Sequence, residues 1–478
     1  MDAARQAGDL NRGRLVPRLT TFGIPLVLGM FFHSLFNLVD LIIVGKLAPS
    51  ETLPSGGVAA LAAVNQASLI GFVPQLISTG INNASIAIIS RNFGMRNYLR
   101  ANANALQSFL LLAFVAVMLG VPSYMYATEL NTLVGSQGDA LPPANDYLEI
   151  SSAGLITLFL LMQVTAVLRA GGNAFWPMVL LIGANLLNVF LDVALVHGLW
   201  GFPRMEVAGA AWGTVISRGL FAIFGLWLIT RPSSPVRLIW WRLRLRGRML
   251  WNLTRLGIPS SLQFVVRVIA YGAILNLVTS WSLTESDAVD IHAALAIGFR
   301  LDLLATFTGA GWGAAAAAIV GQALGAGHRG RAKRAGWVAS VLDLALMAFI
   351  GVLYYIYAPW LMAFFGEDPA VDPKFAQMHA MGVNYLRIIV FAYPLGAVGI
   401  TLAQALNGAG STKAPLVLDA IGFLAVQIPL AAFICLTWAE NGYGRPTLWW
   451  SLVATTGLAA SLYAVMWDRG HWVHKRIQ

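Results

Sequence analysis

The sequence predicts an all-α polytopic membrane protein with twelve transmembrane helices in two pseudo-symmetric lobes of six. Three observations lead to this fold class. Of 478 residues, 58% are hydrophobic and 11% are charged, and the mean hydropathy is +0.70, whereas a soluble domain carries roughly 25% charged residues. The apolar residues stand in continuous runs long enough to cross a bilayer as helices. The first half of the chain also recurs in the second half. The composition and the long apolar runs exclude a soluble protein.

Twelve apolar runs can be marked along the chain. They cover about 22–44, 58–90, 97–120, 147–168, 175–198, 206–230, 256–282, 289–322, 333–358, 380–407, 413–437 and 447–467. The runs are continuous rather than alternating, which disfavours a transmembrane β-barrel. The first run follows a polar arm and is interrupted by Asp40, so we interpret it as a membrane helix rather than a cleaved signal peptide. The single cysteine, Cys435, cannot form an intramolecular disulfide.

The basic residues predict the orientation of the chain. Lys and Arg number 31 against 21 Asp and Glu, and 23 of the 31 fall in the N-terminal arm, the even-numbered connections and the C-terminal tail. Loops rich in Lys and Arg stay in the cytoplasm, so we expect both termini inside, in the inner (plasma) membrane, with no nucleic-acid partner. The expected division is a cytoplasmic arm at 1–20, an N-lobe at 21–230, a basic cytoplasmic linker at 231–255, a C-lobe at 256–467 and a cytoplasmic tail at 468–478.

A repeat relates the two halves of the chain. The segment Leu-Thr-Thr-Phe-Gly-Ile-Pro at 19–25 recurs as Leu-Thr-Arg-Leu-Gly-Ile-Pro at 253–259, an offset of 234, and Ala-Ala-Leu-Ala at 59–62 recurs at 293–296 with the same offset. Each repeat has an even number of helices, so both halves enter the membrane from the same side and are related by an axis along its normal. Such halves enclose a central cavity and permit alternating access, which favours a transporter.

Six motifs together resemble one transporter family. They are Gly23-Ile24-Pro25, Asn37-Leu38-Val39-Asp40, Ala59 to Val64, Leu168 to Asn173, Asn188 to Asp192, and Val207 to Thr214. In combination they are similar to the multidrug and toxic compound extrusion (MATE) family, over essentially the whole chain. The resemblance implies a twelve-helix antiporter that expels organic cations in exchange for inward Na⁺ or H⁺, with no cofactor besides the coupling ion.

Five acidic residues fall within the predicted spans, where an unpaired carboxylate is costly. They are Asp40, Asp192, Asp302, Asp343 and Asp419. Asp192 follows Asn188 by four positions, so the two share a helix face, and their amide and carboxylate oxygens suit Na⁺ or a protonated acid. The predicted topology places Asp40, Asp192 and Thr214 at comparable depth in the outer half of the membrane.

In the MATE family the matching positions form a cation site in the first lobe. The resemblance therefore implies that Asp40, Asn188, Asp192 and Thr214 are members of this site, the first three being metal ligands if the ion is Na⁺. The alternative is that these side chains only join helices 1, 5 and 6 by hydrogen bonds. The repeat-related positions in the second half, at an offset of 234 for Asp40 and about 238 for Asn188 and Asp192, are aliphatic, so coupling is expected in the first half alone. These positions are Ile274, Val426 and Leu430.

The second half departs from the family pattern. Where some MATE branches place a Glu eight residues after the helix 7 proline, this chain has Arg267, which cannot ligate a cation, with Gln263 one turn earlier. The repeat partner of Arg267 is His33, which could relay protons or only form a hydrogen bond. If Arg267 is paired with a buried acidic residue, its role would be structural. If it is unpaired, it would favour an anionic or zwitterionic substrate. Further candidates for substrate contact or a buried charge network are Asn37, Arg300, Asp302 and Asp419.

The function that the sequence favours is a secondary-active multidrug efflux antiporter. It would export amphipathic, cationic organic compounds in exchange for H⁺ or Na⁺ by alternating access, as a monomer in the lipid bilayer. One alternative is a flippase for a lipid-linked or anionic precursor, with Arg267 and Arg300 binding phosphate. A receptor or membrane enzyme is a third, although the sequence has no Walker loop, paired Cys-x-x-Cys or recognisable nucleophile motif.

Overall fold

The computed structural model of the chain describes residues 8–50, 54–232, 234–239, 244–280, 285–365, 375–437 and 444–475, and the regular secondary structure within these ranges is helical. The side chain of Asn37 lies outside the described residues, as do four of the basic residues used to predict the topology. These four are Arg5, Arg242, Lys374 and Arg476.

Ten helices in the described ranges are long and apolar enough to cross a membrane, and two bent pairs bring the total to as many as twelve spans. This confirms the predicted fold class. The unbroken spans are α1 (Leu15–Gly45), α2 (Gly56–Gly94), α3 (Tyr98–Met125), α5 (Phe175–His197), α6 (Glu206–Thr230), α7 (Gly247–Ser280), α8 (Glu285–Gly325), α9 (Arg329–Phe365) and α12 (Gly444–Arg469). The fourth span joins α4a (Leu141–Ala153) to α4b (Leu155–Ala170), the tenth joins α10a (Ala376–Ile389) to α10b (Ala392–Gly408), and the eleventh, α11, runs from Lys413 to Thr437.

Three of these spans are irregular, and the sequence gives a reason for the break in α10. The two halves of α4 meet at Gly154 with a bend of 49°; a Cβ at this position would lie 2.2 Å from Val215 of α6. The halves of α10 meet at 55°, just before Pro394, which has no N–H to donate and whose ring would clash with the carbonyl of Val390 in a continuous helix. In α11 the residues Ala420–Gln427 form a π-helical stretch directly after Asp419.

Helices α1–α6 and α7–α12 form two lobes, which meet where α1 packs against α8 and where α2 packs against α7. Glycines bring the helices close together at both places. A Cβ at Gly23 of α1 would lie 2.3 Å from Trp312 of α8, and a Cβ at Gly80 of α2 would lie 2.0 Å from Ser261 of α7. Between α2 and α7, Asn83 Nδ2 also donates to Ser260 Oγ at 3.0 Å.

The contacts follow the internal repeat, but the offset of 234 does not hold along the whole of α2 and α8. Gly23 and Gly257 occupy equivalent places 234 positions apart, whereas Gly80 and Gly311 do so 231 positions apart. Although α2 and α8 begin with motifs at an offset of 234, α8 is shorter by three residues before the lobe contact. A loss of about one helical turn keeps the interacting faces of the two helices aligned.

One end of the bundle, on the side where α1 begins and α2 ends, is closed by backbone contact between the lobes. A Cβ at Gly94 would lie 2.1 Å from the carbonyl oxygen of Gln322, and a Cβ at Gly325 would lie 2.1 Å from that of Arg91. We call this end the glycine seam and define it by these four residues. The two contacts are equivalent under the repeat. A side chain added at either glycine would therefore push the lobes apart.

The fully buried side chain of Gln322 ties three parts of the chain together beside the glycine seam. Its Oε1 accepts from the backbone N–H of Leu10 at 3.0 Å, while its Nε2 donates to the carbonyls of Ala170 at 3.0 Å and Gly8 at 3.3 Å. Arg331 adds donors to the same arm, at Leu10 and Gly13. One buried amide of the second lobe therefore bonds both the N-terminal arm and Ala170 of the first lobe at the closed seam.

We expect Gln322→Ala to loosen the closed seam, because it leaves three buried backbone groups without this partner and each such loss costs about 1–3 kcal/mol. The readout is labelling of Ala170→Cys by a hydrophilic maleimide in a Cys435→Ser background. Labelling should accelerate by about tenfold or more. Gln163→Ala is the matched control, since Gln163 is equally buried but donates to Ser108 within one lobe. Unchanged labelling in Gln322→Ala would contradict the expectation.

Candidate functional site

The structure brings together the four residues that the sequence proposes for the first lobe. Asp40 comes from α1, Asn188 and Asp192 from α5, and Thr214 from α6. Asn188 Nδ2 donates to Asp192 Oδ1 at 2.9 Å and lies 3.4 Å from Thr214 Oγ1. Asn188 and Asp192 lie one turn apart on one face, as the spacing predicts, and Asp192 is fully buried.

The carboxyl groups of Asp40 and Asp192 lie within hydrogen-bonding reach of each other. Asp40 Oδ1 and Asp192 Oδ2 are buried and have no hydrogen-bond partner. Arg218 of α6 interacts electrostatically with both acids, and so does Tyr147 of α4a. Two carboxylates this close repel one another, and Arg218 balances only one of the two negative charges, so a proton or a further cation would stabilise the pair.

Gly213 of α6, which the sequence analysis did not single out as functional, makes this geometry possible. A Cβ at Gly213 would lie 2.2 Å from Asp192 Oδ1, so only glycine leaves room for the carboxyl between α5 and α6. The signal was present in the sequence, since Gly213 directly precedes Thr214 in the motif from Val207 to Thr214. Only the packing of α6 on α5 shows that the absence of a side chain at Gly213 makes room for the Asp192 carboxyl.

We expect Gly213→Ala to push the Asp192 carboxyl away by about an ångström and to lower efflux by about tenfold or more, because a displacement of this size disrupts a charged site. Efflux from cells and thermal stability in detergent would be measured together. Gly219→Ala is the control on the same helix, where the new Cβ would find its nearest atom, on Thr157, at 3.4 Å. Equal efflux in the two variants would show that the close approach is unimportant.

His33 lies beside this cluster but makes a separate contact. Its Nδ1 lies 3.4 Å from Asn185 Nδ2, which joins α1 to α5 one turn below Asn188. His33 also interacts electrostatically with Arg218. The histidine is thus a hydrogen-bonded residue at the edge of the carboxyl pair.

In the second lobe Arg267 forms an ion pair with Asp419. Arg267 Nε donates to Asp419 Oδ2 at 2.7 Å and a second guanidinium nitrogen lies 3.4 Å from Oδ1. The Tyr463 hydroxyl donates to Asp419 Oδ1 at 2.7 Å, while Gln263 Nε2 approaches that hydroxyl at 3.4 Å and its Oε1 accepts from Asn407. The charge of Arg267 is therefore compensated by a fully buried carboxylate.

Asp302 does not join this ion pair. Its two oxygens accept from the hydroxyls of Tyr385 and Tyr393, each at 2.5 Å, and in the part of the chain that the structure describes Arg300 has no ion pair. The charge network expected from the sequence is therefore divided into two separate arrangements. One is the Arg267–Asp419 ion pair, and the other is Asp302 with its two tyrosines.

A cavity of about 180 Å³ lies between these two arrangements in the second lobe. Its walls are mostly aromatic and aliphatic, and Arg267 supplies the charged group. The lining includes Arg267, Tyr271, Tyr385, Phe423, Gln427 and Trp449. The two lobes thus differ chemically, because the first holds a carboxyl pair in excess of its cations and the second a neutral ion pair beside an aromatic cavity.

Comparison with known proteins agrees with this two-lobed architecture. The profile of the MatE family matches residues 25–194 and 260–433, one segment in each lobe. The chain belongs to the MATE family. The members of this family are multidrug efflux transporters and not enzymes, which confirms the class of function that the sequence predicts. It also confirms that the protein is a membrane protein.

Two curated MATE relatives match nearly the whole chain. The "Probable multidrug resistance protein YpnP" of Bacillus subtilis is 26% identical over 446 residues, 92% of this chain and 93% of the relative. An "FAD transporter" of Shewanella oneidensis is 26% identical over 434 residues, 87% of each chain. A solved structure described as the outward-facing conformation of a multidrug resistance MATE family transporter has a TM-score of 0.86 and 21% identity, and covers 98% of both chains. That likeness shows the MATE fold.

Proposed function

We propose that this MATE transporter is a secondary-active antiporter that exports amphipathic organic cations in exchange for H⁺ or Na⁺, coupled at the Asp40–Asp192 pair. The observation that carries the proposal is the close approach of two carboxyls, each with a buried oxygen that lacks a hydrogen-bond partner. One monovalent cation would relieve their repulsion. Carboxylate, amide and hydroxyl oxygens from Asp40, Asp192, Asn188 and Thr214 are donors that suit Na⁺, and the pair alone suffices for a proton.

Loading and unloading of this site would drive alternating access. Without its cation the pair repels, which favours separation of α1 from α5; with the cation the helices can pack together. Because the two acids belong to different helices, one bound ion changes the relative stability of two helix arrangements. No cofactor besides the coupling ion is needed, and a single chain in the bilayer holds the complete site.

The proposed orientation places both termini in the cytoplasm of the cell and the protein in its inner membrane, from the distribution of basic residues. The glycine seam then closes the cytoplasmic side in the described conformation. The lobes in this proposal are 21–230 and 256–467, joined by the linker 231–255.

A cationic cargo is favoured over an anionic one by the charges in the two lobes. The second-lobe arginine that could bind phosphate or carboxylate is already paired with Asp419, whereas the first lobe contains the carboxyl pair. The aromatic cavity beside Arg267 and the name of the Shewanella oneidensis relative support FAD as a second candidate. Both cargoes therefore belong in the same experiment.

The test uses purified protein in proteoliposomes with the pH gradient and the sodium gradient imposed separately. We expect ethidium to move against its own gradient when one of the two ions flows inward, and FAD to move more slowly or not at all. Movement driven by neither ion would contradict antiport. Movement of FAD without ethidium would overturn the cationic cargo while leaving the coupling site intact.

A further inference from the structure

Asp302 of α8 holds the two halves of the broken tenth span together. Tyr385, near the end of α10a, donates to Asp302 Oδ2, and Tyr393, in the first turn of α10b, donates to Oδ1, each at 2.5 Å. Both tyrosines are 6% exposed. One carboxyl thus contacts both sides of the 55° bend. We call Asp302, Tyr385 and Tyr393 the α10 clamp.

The bend itself is a natural hinge. Between α10a and α10b the backbone makes only a short turn, in which the N–H groups of Phe391 and Tyr393 donate to the carbonyls of Ile388 and Val390 at 3.2 Å. Pro394 prevents a continuous helix through this turn. Because few hydrogen bonds cross the hinge, its angle depends on what each half packs against. Helices α8, α9 and α12 pack on both halves, and within these contacts the α10 clamp joins the two halves through a single carboxyl.

The clamp needs an ionised carboxyl to hold both hydroxyls equally. A carboxylate has two acceptor oxygens, and hydrogen bonds to an ionised acceptor are stronger than neutral ones. Protonation turns one oxygen into a donor hydroxyl, so the tyrosine facing it must rotate its O–H away or lose the bond. A proton therefore weakens one arm of the clamp and leaves the other.

The surroundings favour a proton over another cation as the partner of Asp302. The titratable groups that face it are tyrosines: Tyr271 of α7 and Tyr354 of α9 in addition to Tyr385 and Tyr393 of α10. In the described ranges no basic side chain faces this carboxyl. The Tyr354 hydroxyl donates to the carbonyl of Leu301 at 3.4 Å, which leaves the acid to the two α10 tyrosines.

We propose that Asp302 is a proton-binding site, separate from the Asp40–Asp192 pair, and that its protonation releases the bend of α10. Above the titration range the carboxylate holds α10a and α10b at the described angle, and below it the two halves straighten or swing apart. The proposal is independent of the ion that drives export, because it concerns the geometry of α10 and not the energy source.

Release of the clamp would change the aromatic cavity of the second lobe. Tyr385 lines that cavity and packs edge-on against Trp449, with ring centroids 5.0 Å apart and an interplanar angle of 86°. Movement of α10a therefore moves one wall of the cavity. Proton binding at Asp302 would in this way alter the space available to an aromatic cargo group without any contact between proton and cargo.

The experiment measures the angle of α10 directly. Spin labels on Ala380→Cys, in the exposed face of α10a, and Ser461→Cys, on α12, are placed in a Cys435→Ser background of the full chain in lipid nanodiscs. α10a has 14 residues and is about 21 Å long, so a change of about 15° moves its far end by about 5 Å. We expect the label distance to change by several ångströms between about pH 8 and about pH 4.

Three variants decide between the clamp and other causes of a pH response. Asp302→Asn should give the low-pH distance at every pH, and Tyr393→Phe should move the distance the same way at high pH. Asp343→Asn is the matched control, because this buried acid accepts from Thr401 within the same lobe and should leave the response intact. Asp40→Asn should also leave it intact, which separates this site from the carboxyl pair.

A pH-independent distance in the unsubstituted protein would overturn the proposal, and so would a full pH response in Asp302→Asn. Loss of the response in Asp40→Asn would assign the titration to the first lobe and overturn it as well. None of these outcomes depends on transport, so a failure of the proposed export function would leave the result interpretable.

Discussion

Asp192→Asn and Asp40→Asn should each reduce ion-driven efflux to the passive leak rate while the protein still folds. Either substitution removes one negative charge from the contacting pair, so the remaining acid beside Arg218 no longer requires an external cation. The amide is nearly the same size as the carboxyl, and in Asp192→Asn its oxygen can still accept from Asn188, so packing is preserved. Efflux of ethidium against its gradient, in cells and in proteoliposomes, is the measurement.

Asp343→Asn again provides the matched control for this experiment. Asp343 is as buried as Asp192 but lies in the second lobe, where it accepts from Thr401 at 2.7 Å. We expect its amide variant to retain most of the efflux. If the Asp40 and Asp192 variants transport as well as the Asp343 variant, the pair is a structural contact between α1 and α5 and not the coupling site.

Arg267→Met should destabilise the protein more than other single substitutions in the second lobe. It leaves the carboxylate of Asp419, which is fully buried, without its cation, and breaking such a pair from one side costs about 3–5 kcal/mol. Tyr463 still donates to Asp419 in this variant, which reduces the loss of stability. The free energy of unfolding in mixed micelles is the measurement.

The double variant Arg267→Met/Asp419→Leu should recover most of this loss, because two apolar side chains need no mutual compensation. Arg387→Met is the control for removing an arginine from the same lobe; Arg387 is exposed and lies 5.8 Å from the ring centroid of Tyr355, a contact worth about 0.5–1 kcal/mol. Equal loss in the single and double variants would show that Arg267 acts by binding something other than Asp419.

The sequence was sufficient for the fold because the apolar runs and the repeat are patterns of composition and period. It also predicted the first-lobe cluster, since Asn188 and Asp192 are one turn apart and the family resemblance supplied Asp40 and Thr214. The partners of Asp302 were not accessible in this way. Tyr385 and Tyr393 are 83 and 91 residues away along the chain, and no helical period reports such a distance.

Other features depended on packing rather than on residue type. Gly213 resembles the many other glycines of the chain until α5 places Asp192 against it. The ion pair of Arg267 could be foreseen as one of two outcomes, but the choice of Asp419 over Asp302 depends on the packing of α7 against the start of α11. Sequence spacing fixes neighbours on one helix, and only tertiary structure assigns neighbours between helices.

The glycine seam determines how the two lobes can separate. At Gly94 and Gly325 the surfaces in contact are peptide groups, so no side chain has to leave a rotamer or withdraw from a pocket when the lobes part. At this end of the bundle the resistance to opening then comes from the amide of Gln322 and the arm it holds. We expect the breaking of these few hydrogen bonds, rather than the area of the seam, to set the rate at which this end opens.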